Sequence, residues 1–158
     1  MTFYGINVLY NWKQLTFNVF LNTHKTSRPD INIEDFREYC LSLPGAEEKM
    51  PFTRMESARS ILVFSVAGKW FCFVDIDAFD FCNLKCDPTE AWELEGEYDG
   101  IRPGYHMNKR HWISVYFNSD VHDDKIKELV RKSYDLIVTS LPKRLRSELD
   151  LNNLQIQS

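Results

Sequence analysis

Two apolar runs, Ser60-Ile61-Leu62-Val63-Phe64-Ser65-Val66 and Lys69-Trp70-Phe71-Cys72-Phe73-Val74-Asp75-Ile76, flank Ala67-Gly68. Both are rich in β-branched and aromatic residues, and Gly68 supplies the freedom a tight turn needs. The pattern predicts an antiparallel hairpin. After a bend at Asp75 to Ala78, Phe79 to Lys85 predicts a third strand. Asp87-Pro88-Thr89-Glu90 then opens a helix: Asp87 can cap, Pro88 suits the first helical position, and Glu90 can close a capping box. That helix is expected to run to about Glu97.

Gly100, Pro103 and Gly104 predict a loop, and Trp112 to Phe117 a further strand. From His122 to Ser140, Ile126, Leu129, Val130, Ser133, Tyr134, Ile137, Val138 and Leu141 recur at three and four, the stripe of a docked helix. Pro142 is read as its stop, with Lys143, Arg144 and Arg146 following and a frayed tail from Leu151. Upstream of the hairpin, Asn32 caps a helix with Glu34 and Asp35 in its first turn, and Leu43-Pro44-Gly45 ends it. Glu47 and Glu48 read as a solvated loop or an acidic recognition edge. The expected order is one helix, three strands, a helix, one or two strands and a helix. That is an α+β fold with helices packed on an antiparallel sheet.

Residues 1–30 differ in character. Ile6 to Trp12 and Leu15 to Leu21 alternate as two short strands, and Thr26 to Asp30 reads as a linker. The expected organisation is an extension over 1–30, a domain over 31–145 and a tail over 146–158.

Apolar residues make up 44% and charged residues 27% of the chain, which places it among globular proteins. No apolar run reaches the roughly 18 residues of a membrane span. The formal net charge is -4, so any nucleic-acid binding has to come from a local patch. No secretory signal is evident, and Cys40, Cys72, Cys82 and Cys86 are expected as reduced thiols in a cytoplasmic protein.

Five stretches resemble the MmcQ/YjbR family. They are Leu43-Pro44-Gly45-Ala46-Glu47-Glu48 with Pro51-Phe52; Gly68-Lys69 with Phe71; Asn83-Leu84-Lys85-Cys86-Asp87-Pro88; Pro103-Gly104-Tyr105-His106-Met107-Asn108-Lys109-Arg110-His111-Trp112; and Ser133-Tyr134-Asp135-Leu136-Ile137. They fall in family order over about 32–145, and residues 1–30 depart from the pattern. The resemblance implies a YjbR-like, secretion-chaperone-like fold and carries the family's label of predicted DNA binding.

The residues themselves point to Arg102 to Trp112. From Gly100 to Ser119 there are three formal cations, Arg102, Lys109 and Arg110, and no acid. His106, Asn108 and His111 add polar groups, and Trp112 or Tyr105 offers a ring for a base. The competing reading is a solvated structural loop, with Trp112 in the core. Lys69, Lys85, Lys143, Arg144 and Arg146 help only where the fold gathers them. Three phosphate contacts give a salt slope of about -2.7, roughly 40-fold weaker binding at 200 than at 50 mM salt.

No cofactor, metal site or catalytic constellation is expected. His106 and His111 lack the i, i+4 spacing of a helical zinc pair. Asp75, Asp77 and Asp80 lack the glycine and the twelfth-position carboxylate of a calcium loop. The leading expectation is a non-enzymatic DNA-binding protein. The alternative is a protein- or peptide-binding module of the chaperone-like kind.

Overall fold

The computed structural model describes residues 31–156, with side chains as far as Leu149. The strand pair expected over 6–21 and the linker at 26–30 lie outside the described residues. Helix α1 (Ile33–Ser42) is followed by strands β1 (Ala46–Lys49), β2 (Ile61–Val66), β3 (Lys69–Asp75) and β4 (Phe81–Lys85). Then come α2 (Pro88–Glu97), β5 (Ile101–Pro103), β6 (Trp112–Tyr116), α3 (Asp123–Ser140) and α4 (Lys143–Ile156). The six strands form one sheet in the order β1-β2-β3-β4-β6-β5, and every neighbouring pair is antiparallel. The α+β class is as expected.

Local chemistry explains the elements that the sequence announces. Asn32 Oδ1 accepts the Asp35 amide at 2.9 Å and starts α1. Asp87 Oδ1 accepts the Thr89 amide at 2.8 Å and starts α2 behind Pro88. Ala67 and Gly68 both hold positive φ in the β2–β3 turn, the conformation that matches hairpin twist.

The strands alternate, and one side of the sheet meets the helices. Leu62, Phe64, Val66, Val74, Cys82, Leu84, Ile113 and Val115 share one core cluster with Phe36, Ala91, Leu94, Ile126, Leu129 and Ile137. Register slips between Phe64 and Ser65. The extra residue of this bulge lets adjacent Phe71 and Cys72 both be fully buried. Ser133 of α3, also fully buried, donates to the Phe71 carbonyl and accepts the Lys85 amide at 2.7 Å. It ties α3 to the backbone of two strands. All four cysteines are buried and free.

Three expectations are corrected. Residues 46–49, read as a solvated loop or acidic edge, are strand β1, and Glu48 is engaged by the Arg37 guanidinium of α1. Residues 101–103, read as loop, pair with β6 as the sheet's other edge. Pro142 stops α3 as expected, but the residues read as a tail from 146 belong to a further helix: Leu141 is extended, and the Arg146 amide bonds back to the Pro142 carbonyl as α4 begins. Leu149 of α4 lies against Gly45 and packs, partly buried, against the core.

Candidate nucleic-acid interface

The side of the sheet turned away from the helices is lined by the other alternating set. Phe73, Asn83 and Ser114 stand in neighbouring register positions, as do Phe81 with Tyr116, Lys85 with Trp112, and Arg102 with Ser114. Aromatic rings run across it. Phe52, from the β1–β2 connection, meets Trp70 edge-on at 6.0 Å, Trp70 meets Phe73, and Phe73 meets Trp112 at 5.7 Å. Phe81 lies 4.9 Å from Tyr116 and 5.8 Å from Tyr105. Two segments, 50–60 and 104–111, border this face.

The second segment is held by polar groups buried in the sheet. Gly104 donates its amide to the Trp112 carbonyl at 2.8 Å. A Cβ at Gly104 would sit 2.8 Å from that same oxygen, so only glycine allows the approach. The Tyr105 amide donates to Ser114 Oγ at 2.9 Å, and the Ser114 hydroxyl donates to Asn83 Oδ1 at 2.8 Å. Ser114 and Asn83 are 1% and 2% exposed. This chain anchors the backbone at Tyr105 while the residue as a whole stays 57% exposed.

His106 takes φ +55°, a conformation His adopts more readily than most residues, and its ring lies 4.1 Å from that of Tyr105. Asn108 then makes a turn: its Oδ1 accepts the Arg110 amide and its carbonyl accepts the His111 amide, both at 3.0 Å. Lys109, Arg110 and His111 are exposed on that turn.

The fold therefore brings Arg102, His106, Asn108, Lys109, Arg110, His111, Trp112 and Lys85 to one side of the sheet. Trp112 is only 6% exposed. It packs on Phe73 beneath the Lys85 ammonium, 5.2 Å from its ring, so Tyr105 and not Trp112 offers a ring to solvent. The Arg102 guanidinium lies 4.8 Å over the Tyr116 ring. Lys69 is separated from the group. It reaches Ser140 Oγ of α3 at 3.4 Å on the helical side. Arg144 pairs with Glu148 along α4.

Charge divides between the two sides. Among the described residues every ion pair includes a helix residue: Arg37–Glu48, Lys125–Glu128, Arg131–Asp135, Lys132 with Glu90 and Glu128, and Arg144–Glu148. Lys109, Arg110 and Arg102 form none, nor do Lys49, Arg54 and Arg59 of the 49–59 segment. That segment is +2 with Glu56 included, and 100–119 is +3. Helix α1 (Glu34, Asp35, Arg37, Glu38) is -2 and α2 (Glu90, Glu93, Glu95, Glu97) is -4. Helix α3 is neutral and α4 is +1, so the four helices sum to -5 against the +3 of 100–119 in a molecule with a net charge of -4.

Asp75 at the β3 end is structural. Asp75 Oδ1 accepts the amides of Asp77 and Ala78 at 3.0 and 3.3 Å. Burial pushes its carboxyl up, but the Ser60 hydroxyl and those two amides outweigh it and hold it below the usual range. Sequence reasoning passed over Phe52, Trp70, Phe73, Phe81 and Tyr116. The available signal was in β3, where Trp70, Phe71 and Phe73 put aromatic rings at both parities, which marks a strand covered on two sides.

The YjbR family profile matches residues 41–136. The chain is 36% identical over 112 residues to YbdF of Escherichia coli O157:H7, covering 70% of this chain and 88% of that one. It is 32% identical over 120 residues to YjbR of Escherichia coli K12, covering 75% and 98%. Among solved structures, the Deinococcus radiodurans protein DR2400, with its DUF419 domain, superposes with a TM-score of 0.69 at 32% identity, covering 78% of this chain and 91% of that one. A Pseudomonas syringae protein superposes at 0.57 and 28% identity, covering 67% and 98%. The chain belongs to the YjbR family. Among the described residues no helix is long and apolar enough to cross a membrane.

Proposed function

We propose that this YjbR-family chain is a non-enzymatic DNA-binding protein that holds nucleic acid against the side of its sheet opposite the α-helices. The observation that carries this reading is the set of unpaired cations, Arg102, Lys109 and Arg110, around the exposed ring of Tyr105. Phosphate contacts supply affinity and position, and an open ring beside them can meet a base. The loop is fixed to the sheet by the Ser114–Asn83 chain, so little ordering entropy is lost on binding.

The test is fluorescence anisotropy of labelled DNA with the full chain at 50 and 200 mM salt. Three phosphate contacts predict affinity about 40-fold weaker at the higher salt. Lys109→Glu with Arg110→Glu should abolish binding at about 100 μM protein, the weak end of non-specific affinity. Affinity indifferent to salt, or surviving the double reversal, contradicts the proposal.

A second reading, a peptide-binding module, draws on an open groove of about 460 Å³ on the helical side, lined in part by Ile113, Leu129 and Leu136. It predicts that Leu136→Glu abolishes capture of a protein partner and leaves DNA affinity unchanged.

A further inference from the structure

We infer that the nucleic acid taken by this face is an unpaired strand, with a base stacked on Tyr105 and phosphates held by Lys109, Arg110 and Arg102. The inference rests on the DNA-binding reading above and names the form of its ligand. Three observations carry it.

Tyr105 is 57% exposed although it sits on the sheet, with its ring edge supported by Phe81 at 5.8 Å and flanked by His106 at 4.1 Å. Phe81 in turn lies 4.9 Å from Tyr116, so the ring stands at the end of an aromatic row. In a duplex the base faces are already stacked on one another. An aromatic platform is useful only to bases whose faces are free.

A duplex reader needs a helix or a two-stranded ribbon long enough to enter a groove. Here the helices pack on the other side of the sheet, and α1 and α2 carry a formal -2 and -4 that repel phosphate. The β5–β6 ribbon is only three residues long on its β5 side.

The cations come from the ring row itself and from the turn that follows Tyr105. Arg102 stands over Tyr116 at one end, and Lys109 and Arg110 follow Tyr105 on the adjoining turn. One backbone held by Arg102 and by that turn can present its bases to the rings between them.

The experiment compares a labelled oligothymidine with a labelled hairpin duplex of equal phosphate number. Each is titrated with the full chain and with Tyr105→Ala and Tyr105→Phe, whose melting temperatures confirm folding. The single strand should bind more tightly. Tyr105→Ala should weaken it by about tenfold, within the range for loss of one stacked base. Tyr105→Phe should retain the affinity, and the duplex should not respond to either change. Equal or tighter duplex binding, or single-strand affinity indifferent to Tyr105→Ala, overturns this inference and leaves DNA binding standing. Binding of neither probe overturns both.

Discussion

At Ser133 one hydroxyl serves two strands, and its burial makes the bonds expensive to lose. The hydroxyl donates to Phe71 and accepts from Lys85 with no surface exposed. Ser133→Ala leaves a buried carbonyl and a buried amide without that partner, so a loss of about 1–3 kcal/mol is expected in urea denaturation. Sequence placed Ser133 on the inner stripe of its helix, but periodicity cannot say what a buried hydroxyl bonds. Cys86 supplies a pH dependence. Burial, with Glu90 and Asp87 nearby, pushes its thiol up to about 12, whereas an unfolded thiol ionises near 8.5. Between those values the unfolded chain releases a proton that the folded one keeps. The thiol's contribution is thus intact below about pH 8.5 and is lost as pH rises toward 12. Between pH 7 and 10 the urea midpoint should fall, and it should fall less in Cys86→Ala. Equal falls in the two proteins would remove Cys86 as a cause.

Among the elements, those with strong local chemistry were legible and those defined by partners were not. The caps at Asn32 and Asp87, the Ala67-Gly68 turn and the stripe from Ile126 to Ile137 are written in short windows. Strand β1 is Ala46-Glu47-Glu48-Lys49, whose charges say loop. It is a strand because β2 offers a free edge and Arg37 receives Glu48. Strand β5 has three residues and a proline, too little for any alternation to show. Pro142 reads as the end of one helix, and nothing in its window announces the second helix after it, whose Leu149 packs partly buried against the core. Two glycines test this last contact. Gly45 and Gly68 both hold positive φ, at 63° and 74°, so alanine strains either by about 1–2 kcal/mol. A Cβ at Gly45 would also run into the Leu149 side chain, while one at Gly68 meets nothing within 4 Å. Gly45→Ala should therefore lower the melting temperature more than Gly68→Ala. Equal losses would mean that α4 does not press on the β1 end of the core.

Over the whole molecule, net charge misleads because it averages two unlike sides. The -4 total conceals +3 over residues 100–119 and -4 on α2, and only the fold puts them on opposite sides of one sheet. The sequence did mark the Arg102 to Trp112 loop. It could not show that Lys69 faces the helices, that Trp112 is covered, or that Phe81 and Tyr116 extend the ring row beneath Tyr105. Those facts depend on strand order and register, which no local window contains. The division of charge predicts that DNA affinity responds unequally to equal charge changes. Lys109→Ala with Arg110→Ala should flatten the salt slope by about 1.8, two phosphate contacts' worth. A double charge change at Glu93 and Glu97 on α2 should leave the slope nearly unchanged. The most direct test of the central claim is a two-dimensional amide NMR titration of the full chain with a short DNA strand at low salt. The largest shifts are expected at Arg102, Tyr105, His106, Lys109, Arg110 and Tyr116, with α1 and α2 unmoved. Shifts concentrated on the helical side, or none at saturating DNA, would contradict it.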